Sequence, residues 1–195
     1  MLKAILLFLL LNCPFVAHAQ TNAPEMQKQI KSFKNSKRFR VSYDKFDDAT
    51  VVIVGLFFLD YAKLNPDNNF QMGAGFGYHG SGVPHDVNQF QLIFVANGDY
   101  DWSFLDDRTL KLIVDGERLS LGEADRTGKV GHNWLGKLNL RESMIVNVPA
   151  EVFLKLGQAK NVEMRLGRKE IKLKDEHLQA FRNLAELSTL QAATK

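Results

Sequence analysis

The chain has 195 residues, with 25 lysines and arginines against 22 aspartates and glutamates, and a formal net charge of +3. A hydrophobic content of 45% excludes a disordered body, and the length suits one domain with its own core. The single cysteine, Cys13, falls in a leading segment expected to be removed, which would leave no disulfide, no catalytic thiol and no thiolate metal site.

Residues 1–19 read as a signal peptide. Lys3 supplies a positive start, Ala4 to Leu11 are apolar, and Ala17-His18-Ala19 places small residues where a signal peptidase reads them. Asn12, Pro14 and His18 break the run as a core helix. Asn12 also stands where a lipid-modified cysteine needs a small neighbour. The expectation is cleavage before Gln20 and export to the periplasm or the medium. No later transmembrane segment is predicted, because the longest apolar run, Val51 to Leu59, is broken by Gly55 and is far short of about 20 residues.

Residues 20–36 read as a polar tether, with room for a short helix from Met26 to Phe33. Lys28, Lys31, Lys34, Lys37, Arg38 and Arg40 make this lead-in basic. Residues 44–125 are acidic, and Arg165, Arg168, Lys169, Lys172 and Lys174 make the distal part basic again. The expectation is that opposite patches face each other in the fold, with no nucleic-acid partner.

From residue 37 the period becomes two. Phe39, Val41 and Tyr43 alternate with polar residues, and Thr50 to Tyr61 is apolar on both sides, as in a strand covered twice. Residues 65–69 form a turn, and Phe70 to Tyr78 and Gln89 to Ala96 are extended. Tyr100 to Leu105 continues the pattern. Leu110, Leu112 and Val114 alternate into Asp115-Gly116, and Leu119 and Leu121 alternate out of it, which predicts a tight hairpin. Lys137 to Val148 is another strand. Pro149 then opens a short helix near 150–157. Val162, Met164 and Leu166 turn at Gly167-Arg168 into Ile171 and Leu173. Leu178, Phe181, Leu184, Leu187 and Leu190 stripe a closing helix. The predicted fold is therefore mainly β: an antiparallel β-sandwich or partial barrel with a C-terminal amphipathic helix, forming one domain over residues 37–191.

Gly75-x-Gly77-x-x-Gly80 spells a dinucleotide fingerprint. That fingerprint needs a helix N-terminus after the last glycine, and Ser81-Gly82-Val83-Pro84-His85-Asp86 cannot start one. Gly73, Gly75 and Gly77 instead recur every second residue, so in a strand they bare one face for close packing, followed by an exposed loop from Gly80 to Pro84. No cofactor is expected.

The candidate chemistry is sparse. His79, His85 and Asp86 share the glycine-rich loop, and with His132 they could make a divalent-metal site, although their spacing matches no established ligand motif. Ser81 follows His79, not the glycine that a nucleophile elbow requires. Tyr100, Trp102 and Trp134 could stack on a sugar, beside Asp99, Asp101, Asp106 and Asp107 as potential glycosidase acids. His177, on the closing helix, is expected to face solvent. The reading that follows is an exported non-catalytic binding or interaction module, engaging a protein or envelope component through surface loops or a strand edge. The alternatives are an exported hydrolase, glycan-directed or with a loop-bound metal, and a sugar-binding module.

Overall fold

The computed structural model describes residues 24–61, 69–98, 104–132 and 138–190. The expected turn at 65–69, Tyr100, Trp102, Trp134 and residues 1–19 lie outside or mostly outside these. Among the described residues, ten strands form two wholly antiparallel sheets. The larger orders its strands β1-β2-β3-β4-β8-β7, and the smaller β10-β9-β5-β6. In chain order these are β1 (Phe39–Asp44), β2 (Ala49–Tyr61), β3 (Asn69–His79), β4 (Gln89–Gly98), β5 (Thr109–Val114), β6 (Glu117–Glu123), β7 (Asp125–His132), β8 (Leu138–Pro149), β9 (Val162–Leu166) and β10 (Lys169–Lys172). Helices α1 (Pro24–Ser32), α2 (Ala150–Gln158) and α3 (Asp175–Ser188) complete an open, sandwich-like arrangement, not a closed barrel.

Alternation decides which side of each sheet is buried. Val54, Ala74, Leu92 and Val146 stand opposite one another across four strands of the larger sheet, and all are buried on the shared core. From the smaller sheet, Leu110, Leu112, Val114, Val162, Met164, Leu166 and Ile171 enter the same cluster. A column of rings joins the layers: Phe76 meets Phe90 edge-on, Phe90 stacks on Phe153 of α2, and Phe153 abuts Phe181 of α3. The opposite face of the larger sheet is apolar too, with Val51, Ile93, Val95 and Ile145 buried, as the two-sided greasiness of β2 suggests.

The two sheets are physically one ribbon at their junction. β6 edges the smaller sheet and β7 the larger, and only buried Ala124 separates them, its amide donating to the Arg108 carbonyl at 3.0 Å. Beside this corner, Glu142 of β8 is almost fully buried. Its Oε1 accepts from Arg126 Nε at 2.7 Å and from the Phe104 amide at 3.3 Å. A buried carboxylate needs such donors, so this cluster fixes where the chain enters β5.

Three departures from the sequence expectations have local causes. The segment read as a polar tether carries the short helix allowed for it, α1, but the helix is docked: Met26 within it and Phe33 just after it are buried, and Asn183 of α3 donates to Asn35 at 2.9 Å. Two apolar residues at helical spacing are enough to hold it. Strand β7 was not expected, since Gly128, Gly131 and its exposed side chains give no alternation; pairing to β8 alone makes it a strand. Phe104 and Leu105, expected at the end of a strand, lie in a turn.

The glycine run is extended within β3, as expected, and β4 follows the loop without an intervening helix. A Cβ at Gly75 would lie 2.7 Å from the Val52 carbonyl oxygen, whereas one at Gly77 would meet Thr50 O at an ordinary 3.5 Å. The two glycines therefore differ. Gly75→Ala is expected to cost about 1–3 kcal/mol through strain against β2, and Gly77→Ala to stay within about 0.5 kcal/mol of the parent. Equal midpoints in urea denaturation would contradict this close approach.

Candidate functional site

The loop expected to carry function is tied down at one corner of the larger sheet. The Gly80 amide donates to Asp48 O at 2.8 Å, Thr50 Oγ1 donates to Gly80 O, and the Tyr78 hydroxyl donates to Gly82 O at 2.7 Å. Burial pushes the Tyr78 phenol up to about 12. His85 sits edge-on to the Tyr78 ring at 6.0 Å, with Nδ1 3.4 Å from Val83 O, and Pro84 is buried. This loop is anchored at several points.

His79, His85 and Asp86 are all exposed at this corner. His132 is elsewhere. Gln89 pairs with Pro149 at the loop end of β8, while His132 pairs with Leu138 at its other end, about 35 Å away along an extended strand. Strand register thus separates His132 from the other three. The corner has only a small cleft, about 90 Å³, where β3 and β4 part beyond Gly75 and Gln91; Val51, Gly77, His79 and Gln89 line it. Tyr100, Trp102 and Trp134, the sugar-stacking candidates, lie outside the described residues.

A larger concavity, about 700 Å³, lies on the outer face of the smaller sheet. Burying Leu112 opposite Met164 turns Lys111 and Arg165 outward, directly opposite each other on β5 and β9. Two cross-strand rows result: Glu170, Arg165, Lys111 and Ser120, and beside it Lys172, Glu163, Ile113 and Arg118. All eight are exposed, including the apolar Ile113 at 38%. Among the described residues Lys111, Arg118 and Lys172 make no ion pair, and Arg165 has only Glu170 at 3.9 Å. Basic residues elsewhere do find acids, as Lys155 does with Glu117 and Arg108 with Glu123 at 3.0 Å.

The face is held from both ends. Asp115 and Gly116 take positive φ of 47° and 93°, the tight hairpin turn expected. The Asp115 carboxylate accepts the Lys160 and Asn161 amides at 3.1 and 2.8 Å, which seats the start of β9 beside β5. At the other end Gly167, with φ of +56°, donates its amide to Thr109 O at 3.1 Å, and a Cβ there would lie 2.3 Å from Asp107 O. The Thr109 amide, 3.0 Å from Asp107 Oδ1, holds that carboxyl below its usual range, with Lys111 and Arg165 adding smaller contributions.

Sequence reasoning missed this site because β5 and β9 are joined only by long-range pairing. The signal available was the outward half of each alternation, Lys111 and Ile113 among Leu110, Leu112 and Val114, and Glu163 and Arg165 between Val162, Met164 and Leu166. His177 is a second correction. It is buried, not solvent-facing, and its Nδ1 accepts the Lys174 amide at 3.1 Å at the start of α3. Burial holds its pKa below the ordinary imidazole value.

Like charges directly opposite on a sheet are destabilising. Lys111→Glu is therefore expected to raise the unfolding free energy, by up to about 1 kcal/mol, with the gain shrinking at high salt; a loss of stability would show that Lys111 is structurally required. For His177, the unfolded chain takes up the proton first as pH falls. Stability should be complete above about pH 6.5 and decline below it until the folded pKa is reached. Replacing it as His177→Gln should flatten that decline in pH-dependent melts, and an unaltered slope would contradict the burial.

Comparison with known proteins returns no matching family model, no matching curated protein and no matching solved structure.

Proposed function

We propose that this chain is an exported, non-catalytic binding module of the cell envelope or extracellular space, and that its contact surface is the outer face of the smaller sheet. The export reading rests on Lys3, the apolar Ala4 to Leu11 and Ala17-His18-Ala19. The observation that carries the binding reading is the 700 Å³ concavity floored by the directly opposed Lys111 and Arg165. Neither position contributes to the core, so folding leaves their identity free, yet both are cations that oppose each other. Clustered charge of one sign suits a surface that meets a partner of the opposite sign. Ile113 at the centre adds an exposed apolar contact within a charged rim, the anatomy of an interface. The Gly80 to Asp86 loop, anchored to Asp48, Thr50 and Tyr78, offers a smaller and stiffer alternative contact.

The test places a photo-crosslinking amino acid in living cells at Ser120, on the face, and separately at Gly82, in the loop, and at Val130, on the β7 edge. We expect an envelope-fraction adduct from position 120 that disappears in Lys111→Glu/Arg165→Glu. Adducts arising only from 82 or 130 would move the contact to the loop or the edge. Mass analysis of the exported protein should give a chain beginning at Gln20; retention in the cytoplasm would overturn the export reading.

A further inference from the structure

We infer that the outer face of the smaller sheet receives an extended, acidic polypeptide segment of another protein. The inference deepens the binding-module reading and rests on it. Three exposed cations on this face, Lys111, Arg118 and Lys172, make no ion pair among the described residues, and the fourth, Arg165, has one carboxylate at 3.9 Å. Glu170 and the Asp107 carboxylate lie near the Lys111–Arg165 pair, and an anionic group supplied from outside would relieve its opposition further.

The spacing selects the form of the ligand. Neighbouring strands stand about 4.8 Å apart, so Glu170, Arg165, Lys111 and Ser120 lie at successive steps of that size across the sheet. An extended peptide laid across the strands presents the side chains of one face about 6.8 Å apart. A carboxylate centred over Arg165 and Lys111 serves both cations at once. Its two same-face neighbours then fall near Glu170 and Ser120, where a polar or basic residue and a hydroxyl or amide fit. The second row offers Lys172 and Arg118 at its ends to further acids, with Ile113 between to meet an apolar side chain.

The same geometry disfavours a nucleic acid or polyphosphate. Such a chain repeats its negative charge at every unit and would set phosphates against Glu163 and Glu170. A peptide can vary its charge from residue to residue, and this face is mixed in sign.

The probe is a short synthetic peptide whose same-face residues alternate glutamate with threonine, with valine at the positions between, titrated against the purified mature protein by fluorescence anisotropy. The same peptide with lysine for glutamate, and inorganic polyphosphate, serve as comparators. Saturable, salt-sensitive binding of the acidic peptide is expected, weakened on the order of tenfold or more in Lys111→Glu/Arg165→Glu. Lys111→Gln/Arg165→Gln, which removes charge without reversing it, should fall between, and thermal melts of both variants should remain cooperative. Equal binding of the basic peptide, tighter binding of polyphosphate, or unchanged affinity in the double charge reversal would each overturn the inference. A Ser120 adduct in cells without acidic-peptide binding would defeat the ligand chemistry while leaving the module standing. Peptide binding with adducts only from Gly82 or Val130 would instead defeat the proposed cellular contact.

Discussion

The register that buries Leu112 opposite Met164 governs the smaller sheet and everything attributed to its outer side. A strand has two faces and no third choice, so committing Leu110, Leu112 and Val114 to the core commits Lys111 and Ile113 to solvent. The same holds for Val162, Met164 and Leu166 against Glu163 and Arg165. A slip of β9 by one residue would expose Val162, Met164 and Leu166 and bury Glu163 and Arg165, so the alignment of Lys111 with Arg165 is as fixed as the core itself. The charged face inherits its precision from the apolar one.

The larger sheet supplies the platform. Its core face and the rings of Phe90, Phe153 and Phe181 bind both C-terminal helices to it. Arg182 of α3 closes the end of α2 by donating to Gly157 O at 2.7 Å and Ala159 O at 3.2 Å, satisfying carbonyls that the helix cannot pair internally. Because α2 leads directly into β9, this closure and the Asp115 turn together locate one half of the charged face. The other half, β5 and β6, is located by Glu142, Arg126 and Phe104. The face is assembled by distant parts of the chain, and none of them alone contains it.

Much of the fold was legible from short-range pattern. The Asp115-Gly116 hairpin, the stripe of Leu178, Phe181, Leu184 and Leu187, and the alternating Gly73, Gly75 and Gly77 each announce their own geometry. What escaped was set by partners. β7 is a strand because β8 lies beside it, and α1 docks because Met26 and Phe33 join the core cluster. His177 is buried because a capping geometry and the core claim its ring. The charged face escaped for the same reason, since strands about fifty residues apart in sequence must pair before Lys111 and Arg165 become neighbours. Local alternation tells which side chains turn outward. It does not tell which of them will stand together.

Gly167 carries a consequence for how this protein can change over time. Its missing side chain admits the Asp107 carbonyl into space that any β-carbon would occupy, at the β9–β10 turn beside Lys111, Arg165 and Glu170. A replacement there would lever the ribbon bearing Arg165 and Glu170 away from Lys111 without touching a single charged group. The exposed side chains of the face can therefore be exchanged one at a time, while the turn beside them must stay bare.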